Sequence, residues 1–199
     1  MHSDDPARDA LAESAAQGLS VLPQLRLLSL AEALAAPAPA RALELNAELD
    51  TLCTALQESV RRRPGWLYLQ PAAQPAPVAL PRQLLQAAVL CWIGAVLAAP
   101  SPTGILQLDV TAHAAILVLR GGAGRDLPSD TRALLLRLAA VCGGAVVQSG
   151  GSGPFTAALR LPLSVQTPLR EAQFPAELLC DRYSVLQIFL QDHCAGPNE

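Results

Sequence analysis

From Gln83 to Leu108 the chain carries no charged side chain, and an uninterrupted stretch of that kind belongs either in a bilayer or inside a protein core. Its helix-like part, Leu84 to Ala99, stops at Pro100 and falls short of the ~20 apolar residues that spanning hydrocarbon requires. A buried core helix is therefore expected, and no membrane span. A chain of 199 residues, 51% of them hydrophobic, can bury roughly 70% of its unfolded surface. A core able to surround such a helix is available without disulfides or metal.

Charge and cysteine usage narrow the chemistry. With 14 basic against 17 acidic side chains and a formal net charge of −3, nucleic acid is not an expected partner. Every basic residue is Arg, which excludes a Schiff-base lysine and a P-loop lysine. Cys53, Cys91, Cys142, Cys180 and Cys194 contain no C-x-x-C pair, so no structural zinc site is indicated. The odd count and the apolar neighbours of Cys53, Cys91 and Cys142 fit buried free thiols in a reducing compartment. The polar start Met1-His2-Ser3-Asp4-Asp5 is unlike the basic and apolar regions of a signal peptide. A soluble, cytoplasmic protein is expected.

Periodicity divides the chain into four parts. Residues 1–18 read as a polar tail. From Leu19 to Ala35, Leu22, Leu25, Leu28, Leu30 and Leu34 fall near helical spacing, and Pro37 and Pro39 end that helix. A second helix, Ala40 to Arg62, places Leu45, Leu49, Leu52, Leu56 and Val60 on one stripe, with Glu44, Glu48, Asp50 and Glu58 off it. Residues 19–63 thus form an antiparallel hairpin. Its exposed stripes can be covered by a second copy, giving a four-helix bundle, or by the domain that follows.

Residues 64–163 change period. A strand at Gly65 to Leu69 is followed by a Pro- and Ala-rich linker or edge segment, Pro71 to Pro77, and by the helix Arg82 to Ala99. Strands at Ile105–Val110 and Ala115–Leu119 form a hairpin. A Gly-rich loop, Gly121 to Gly124, then leads to a helix at about Asp130 to Val141, and Ala145–Gln148 and Phe155–Leu161 make a last strand pair. That order predicts an α+β sandwich with helices on one face of a mixed sheet. Within residues 164–199, Cys180 to Gln191 fits either a terminal helix or a last strand.

The strand Ala115-Ile116-Leu117-Val118-Leu119 running into Arg120-Gly121-Gly122-Ala123-Gly124, and the sequence Cys142-Gly143-Gly144 … Gly153-Pro154-Phe155-Thr156 … Leu161-Pro162-Leu163, resemble the catalytic region of two-component sensor histidine kinases. That ATP-binding fold is shared with gyrase-type ATPases and a class of chaperones, the GHKL group. The resemblance implies a bacterial signalling protein with a dimerisation and phosphoacceptor hairpin at 19–63 and an ATPase-fold domain at 64–163. It also implies ATP and Mg²⁺ as cofactors, yet the residues that would bind them have changed. Where the family's Asp-x-Gly-x-Gly loop has its adenine-binding Asp, this chain has Arg120, a donor-only side chain, while Gly122 and Gly124 match the glycines.

Where the family's Asn-box helix reads Asn-Leu-x-x-Asn-Ala, this chain reads Leu90-Cys91-Trp92-Ile93-Gly94-Ala95. Gly94 thus replaces the Mg²⁺ ligand, and Leu97 stands where a basic phosphate contact is usual. Only Arg125 to Ser129 separate Gly124 from the next helix, so the family's long nucleotide lid is missing. In the hairpin, Pro23-Gln24-Leu25-Arg26 aligns with the His-Glu-Leu-Arg phosphoacceptor motif and puts Pro23 in place of the His. Leu90, Gly94, Arg120, Gly122, Gly124 and Gly153 would then line a vestigial nucleotide cleft without metal ligand or phosphoacceptor.

The expectation is a catalytically inactive pseudokinase acting as a dimeric interaction module for a response regulator or kinase partner. The alternative is an atypical sensor histidine kinase or phosphotransfer protein.

Overall fold

The computed structural model describes residues 42–60, 66–97, 103–123, 129–149, 154–165, 169–181 and 184–194. In chain order the elements are β1 (Ala42–Glu44), α1 (Leu45–Ser59), β2 (Leu67–Gln70), β3 (Pro77–Ala79), α2 (Arg82–Leu97), β4 (Gly104–Val110) and β5 (Ala114–Ala123). They continue with α3 (Ser129–Cys142), β6 (Ala145–Ser149), β7 (Pro154–Pro162), β8 (Leu169–Arg170), α4 (Pro175–Cys180) and α5 (Val185–Cys194). The class is α+β, as expected.

Five strands form a mixed sheet in the order β2-β4-β5-β7-β6. β2 and β4 run parallel and the other three pairs antiparallel. A parallel pair needs a crossover, and the chain between β2 and β4 supplies one that includes α2. A smaller sheet, β3-β1-β8, joins β1 antiparallel to β3 and parallel to β8.

Strand alternation sorts the core. Leu106 and Leu108 of β4, Leu117 and Leu119 of β5 and Leu159 and Leu161 of β7 are all buried, each two residues from the next so that one face of the sheet turns inward. α2 packs on β5, and α3 on β6 and β7. Of the 16 residues of α2, 12 are buried, Cys91, Ala95 and Leu97 are half-buried, and Gln83 is exposed. A helix apolar all round is an interior helix, which is what the charge-free interval implied. Among the described residues no helix is long and apolar enough to cross a membrane.

The chain departs from expectation at its start. The helix expected from Ala40 begins at Leu45, because Ala42 to Glu44 are extended and pair on both sides as the central strand of the small sheet, with Ala42 and Leu43 buried between their neighbours. Glu44 then caps α1, its carboxylate accepting from Ala47 N at 2.8 Å. The stripe Leu45, Leu49, Leu52 and Leu56 is at most 1% exposed. α1 packs on β2, α4 and α5 of its own chain, so the covering of this stripe is intramolecular and it is not a dimer surface. The first helix of the expected hairpin lies outside the described residues.

Two further segments are more ordered than the sequence suggested. The Pro-Ala stretch before β3 is fastened to the start of α1: Ala72 N donates to Asn46 Oδ1, Asn46 Nδ2 to Gln74 O, and Ala76 N to Glu44 Oε1, at 2.9–3.1 Å. Its last residue, Pro77, opens the edge strand β3. The C-terminal extension contributes a strand and two helices, α4 and α5, both packed on α1. Within the run from Cys180 to Gln191, Cys180 ends α4 and residues 185–191 lie in α5, so helix and not a last strand is found there.

Candidate functional site

The site implied by the sequence is the junction of α2 with β5. Gly104 and Gly121 are register partners on β4 and β5, and both lack a side chain because α2 lies directly over them. A Cβ at Gly104 would stand 3.2 Å from Trp92 Cη2. One at Gly121 would stand 2.5 Å from Val96 Cγ2, 3.1 Å from Thr103 O and 3.4 Å from Trp92 Cζ2. The indole of Trp92, fully buried, fills the space between helix and strands. Its Nε1–H has no acceptor among the described residues, a cost tolerated for the apolar area the ring buries.

This arrangement revises the roles expected along Arg120 to Gly124. Residues 121–123 are strand, not loop: β5 continues through them and pairs with β7, with a register shift between Gly121 and Ala123. Leu117, Leu119 and Gly121 alternate on the face toward α2, while Ile116 and Val118 are half-buried and Arg120 is exposed on the opposite face. The position that faces α2 is thus Gly121, and it has no room for an acceptor. Gly122 lies in the strand; Gly124, Gly153 and Pro23 lie outside the described residues.

On α2, Leu90 is 2% exposed and Gly94 is buried. Neither residue offers a side-chain oxygen, so these two positions do not supply the Mg²⁺ ligand in the manner the resemblance implies. No group of three or more His, Cys, Asp or Glu side chains able to hold a metal occurs among the described residues.

A polar cluster not singled out from the sequence lies beside this helix. Glu48, placed off the apolar stripe of α1, is nevertheless buried and holds the guanidinium of Arg82, the first residue of α2, at 2.6 Å. The two side chains are 2% and 7% exposed. Arg82 Nε donates to both carboxylate oxygens, at 3.0 and 2.9 Å, and Nη2 also donates to Glu171 O. Thr51 Oγ1 donates to Gln173 O at 2.9 Å and Gln86 Nε2 to Gln173 Oε1 at 3.1 Å. The cluster ties α1 and α2 to the segment between β8 and α4.

Cys53 and Cys142 are free thiols. Burial, with Asp50 nearby as a smaller cause, pushes the Cys53 thiol up to about 12, and burial alone pushes Cys142 up to about 11. Cys91 is half-buried and Cys180 exposed. Iodoacetamide at pH 8 is expected to alkylate Cys180 and spare Cys53, as read by peptide mass analysis. Both raised values lie above the ordinary thiol value of 9.0. The unfolded chain therefore releases these protons first, and stability in urea should decline as pH rises above 9.

Comparison with known proteins gives the fold a context. No protein-family model and no curated protein matches the sequence. Among solved structures the chain is similar to the histidine kinase AdeS of Acinetobacter baumannii, at 16% identity and a TM-score of 0.57, over 83% of this chain and 88% of that one. It is similar to the histidine kinase domain of the E. coli osmosensor EnvZ at 10% identity and a TM-score of 0.51, over 69% and 98%. Full-length ShkA, solved in complex with AMPPNP, aligns at 17% identity with a TM-score of 0.55, over 84% of this chain and 40% of that one. The α+β sandwich described above is the fold of the histidine kinase catalytic domain, the GHKL fold.

Proposed function

We propose that this chain is a histidine-kinase-like pseudokinase, a signalling module that has kept the fold and lost nucleotide chemistry. The observation that carries the reading is the state of α2 and β5. Leu90 and Gly94 occupy, buried and without side-chain oxygens, the positions where the resemblance places asparagines, and Gly121 faces α2 with no space for an acid. Phosphoryl transfer relies on positioning and on neutralising phosphate charge through metal and donors. Pro23, where a phosphoacceptor histidine would stand, has no nucleophilic nitrogen.

What remains is binding, with a response regulator or a kinase as the partner. A homodimer of this chain would have to form without the Leu45, Leu49, Leu52 and Leu56 stripe, which is spent within the protomer. Calorimetric titration tests the reading. No heat is expected at about 1 mM ATP, with magnesium or with chelator, which places any affinity beyond the millimolar range. Heat that weakens on chelation would return the chain to the enzymes.

A further inference from the structure

The residues of α2 at Gln86, Leu90, Gly94 and Leu97, spaced i, i+4, i+8 and i+11, share one face of the helix. Trp92 and Val96 project from the other side, onto Gly104 and Gly121 of the sheet. The face through Leu90 and Gly94 therefore points away from the sheet, where a two-layer domain would meet solvent. Yet Leu90 is 2% exposed and Gly94 is buried. Gln86, at the head of the same face, bonds to Gln173 of the C-terminal segment, and α5 packs on α2 with Leu186 0% and Phe189 7% exposed, one turn apart.

We propose that α5 is a cis-acting cover, docked on the nucleotide-side face of α2 and keeping it closed to any other ligand. The proposal rests on the reading above that this face is the vestigial cleft. Only residues 124–128 connect β5 to α3, too few for a folding lid, so the cover comes from the far end of the chain instead. Its delivery is built in. Arg82 and Thr51 hold the backbone at Glu171 and Gln173, Gln86 holds the Gln173 side chain, α4 follows directly, and Ser184 starts α5 by accepting from Gln187 N at 3.1 Å. Leu186 and Phe189 are buried side chains of α5, and in this proposal they fill the face in place of a bound ligand.

The test is hydrogen exchange on the full chain, comparing the natural sequence with Leu186→Asp and, as a milder second variant, Phe189→Ala. Expected is at least a tenfold loss of protection for the amides of 86–97, with β4, β5 and β7 unchanged and Cys53 still resistant to alkylation. Unchanged protection at 86–97 in both variants overturns the proposal. So does an equal loss across the sheet in both, which would make α5 an inseparable part of the core. ATP titrated into the same proteins separates this proposal from the reading it rests on. Heat with a variant but not with the natural chain supports the cover and overturns the lost-nucleotide reading. No heat with either, together with the exchange pattern above, supports both. Heat with the natural chain overturns both.

Discussion

Glu48→Ala is expected to destabilise the protein by about 3–5 kcal/mol, because it leaves the Arg82 guanidinium buried without its counter-charge. The pair is almost fully enclosed, at 2% and 7% side-chain exposure, so water cannot replace the lost carboxylate. The loss spreads beyond α1, since Arg82 also holds Glu171 O and so positions the segment leading to α4. Urea denaturation of Glu48→Ala measures the effect. The double variant Glu48→Leu with Arg82→Met separates the cost of an orphaned charge from the worth of the pair. Because apolar replacement of a buried ion pair is often neutral or favourable, the double variant should recover most of the stability lost by the single one. A double variant as unstable as Glu48→Ala would show that the bond to Glu171 dominates.

Gly121→Asp, which would return a carboxylate to the strand position facing α2, is expected to cost about 3 kcal/mol or more by combining overpacking with burial of an unpaired acid. Its Cβ would meet Val96 Cγ2 at 2.5 Å and Thr103 O at 3.1 Å. The aliphatic end of Val96 can yield a little; the backbone carbonyl of Thr103, next to the first residue of β4, cannot. Thermal unfolding reads the cost and titration with ATP reads the chemistry. A variant that folds with near-natural stability and binds nucleotide would mean the site is one residue from function. The expected variant is unstable and silent.

How far these features could be read from the sequence depended on the range of the interactions behind them. α2 announced itself because all of its faces are apolar, and the hairpin β4–β5 because its alternation is local and unbroken. β1 was hidden inside a helical pattern: Ala42, Leu43 and Glu44 suit a helix, and only pairing with residues far along the chain, at Pro77 to Ala79 and at Leu169 and Arg170, makes them a strand. The burial of Glu48 is hidden for the same reason, since its partner Arg82 stands 34 residues further along the chain. α4 and α5 are short, and a short apolar run does not declare whether it is helix or strand.

At the site, the changes at Leu90 and Gly94 are legible only through the resemblance to the family's Asn-box helix. The orientation at Arg120 and Gly121 was not, because it depends on β5 remaining a strand for three residues past the point where glycines suggested a loop. The steric reason for Gly121 lies on another element entirely, in Val96 and Trp92.

The parallel pairing of Ala42 with Leu169 joins the first described strand to the last. On a ribosome, β1 would emerge early and wait for almost the whole domain to be made before its second partner existed. Loop closure of that length is entropically costly, and contacts of high sequence separation slow folding. The five-stranded sheet, whose strands all precede residue 163, can assemble first, leaving the Leu45–Leu56 helix with its apolar side unfinished until the final helices arrive. The core of this domain closes only once its last segment is available, and a ribosome stalled short of residue 169 would hold an adhesive intermediate for chaperones to shield.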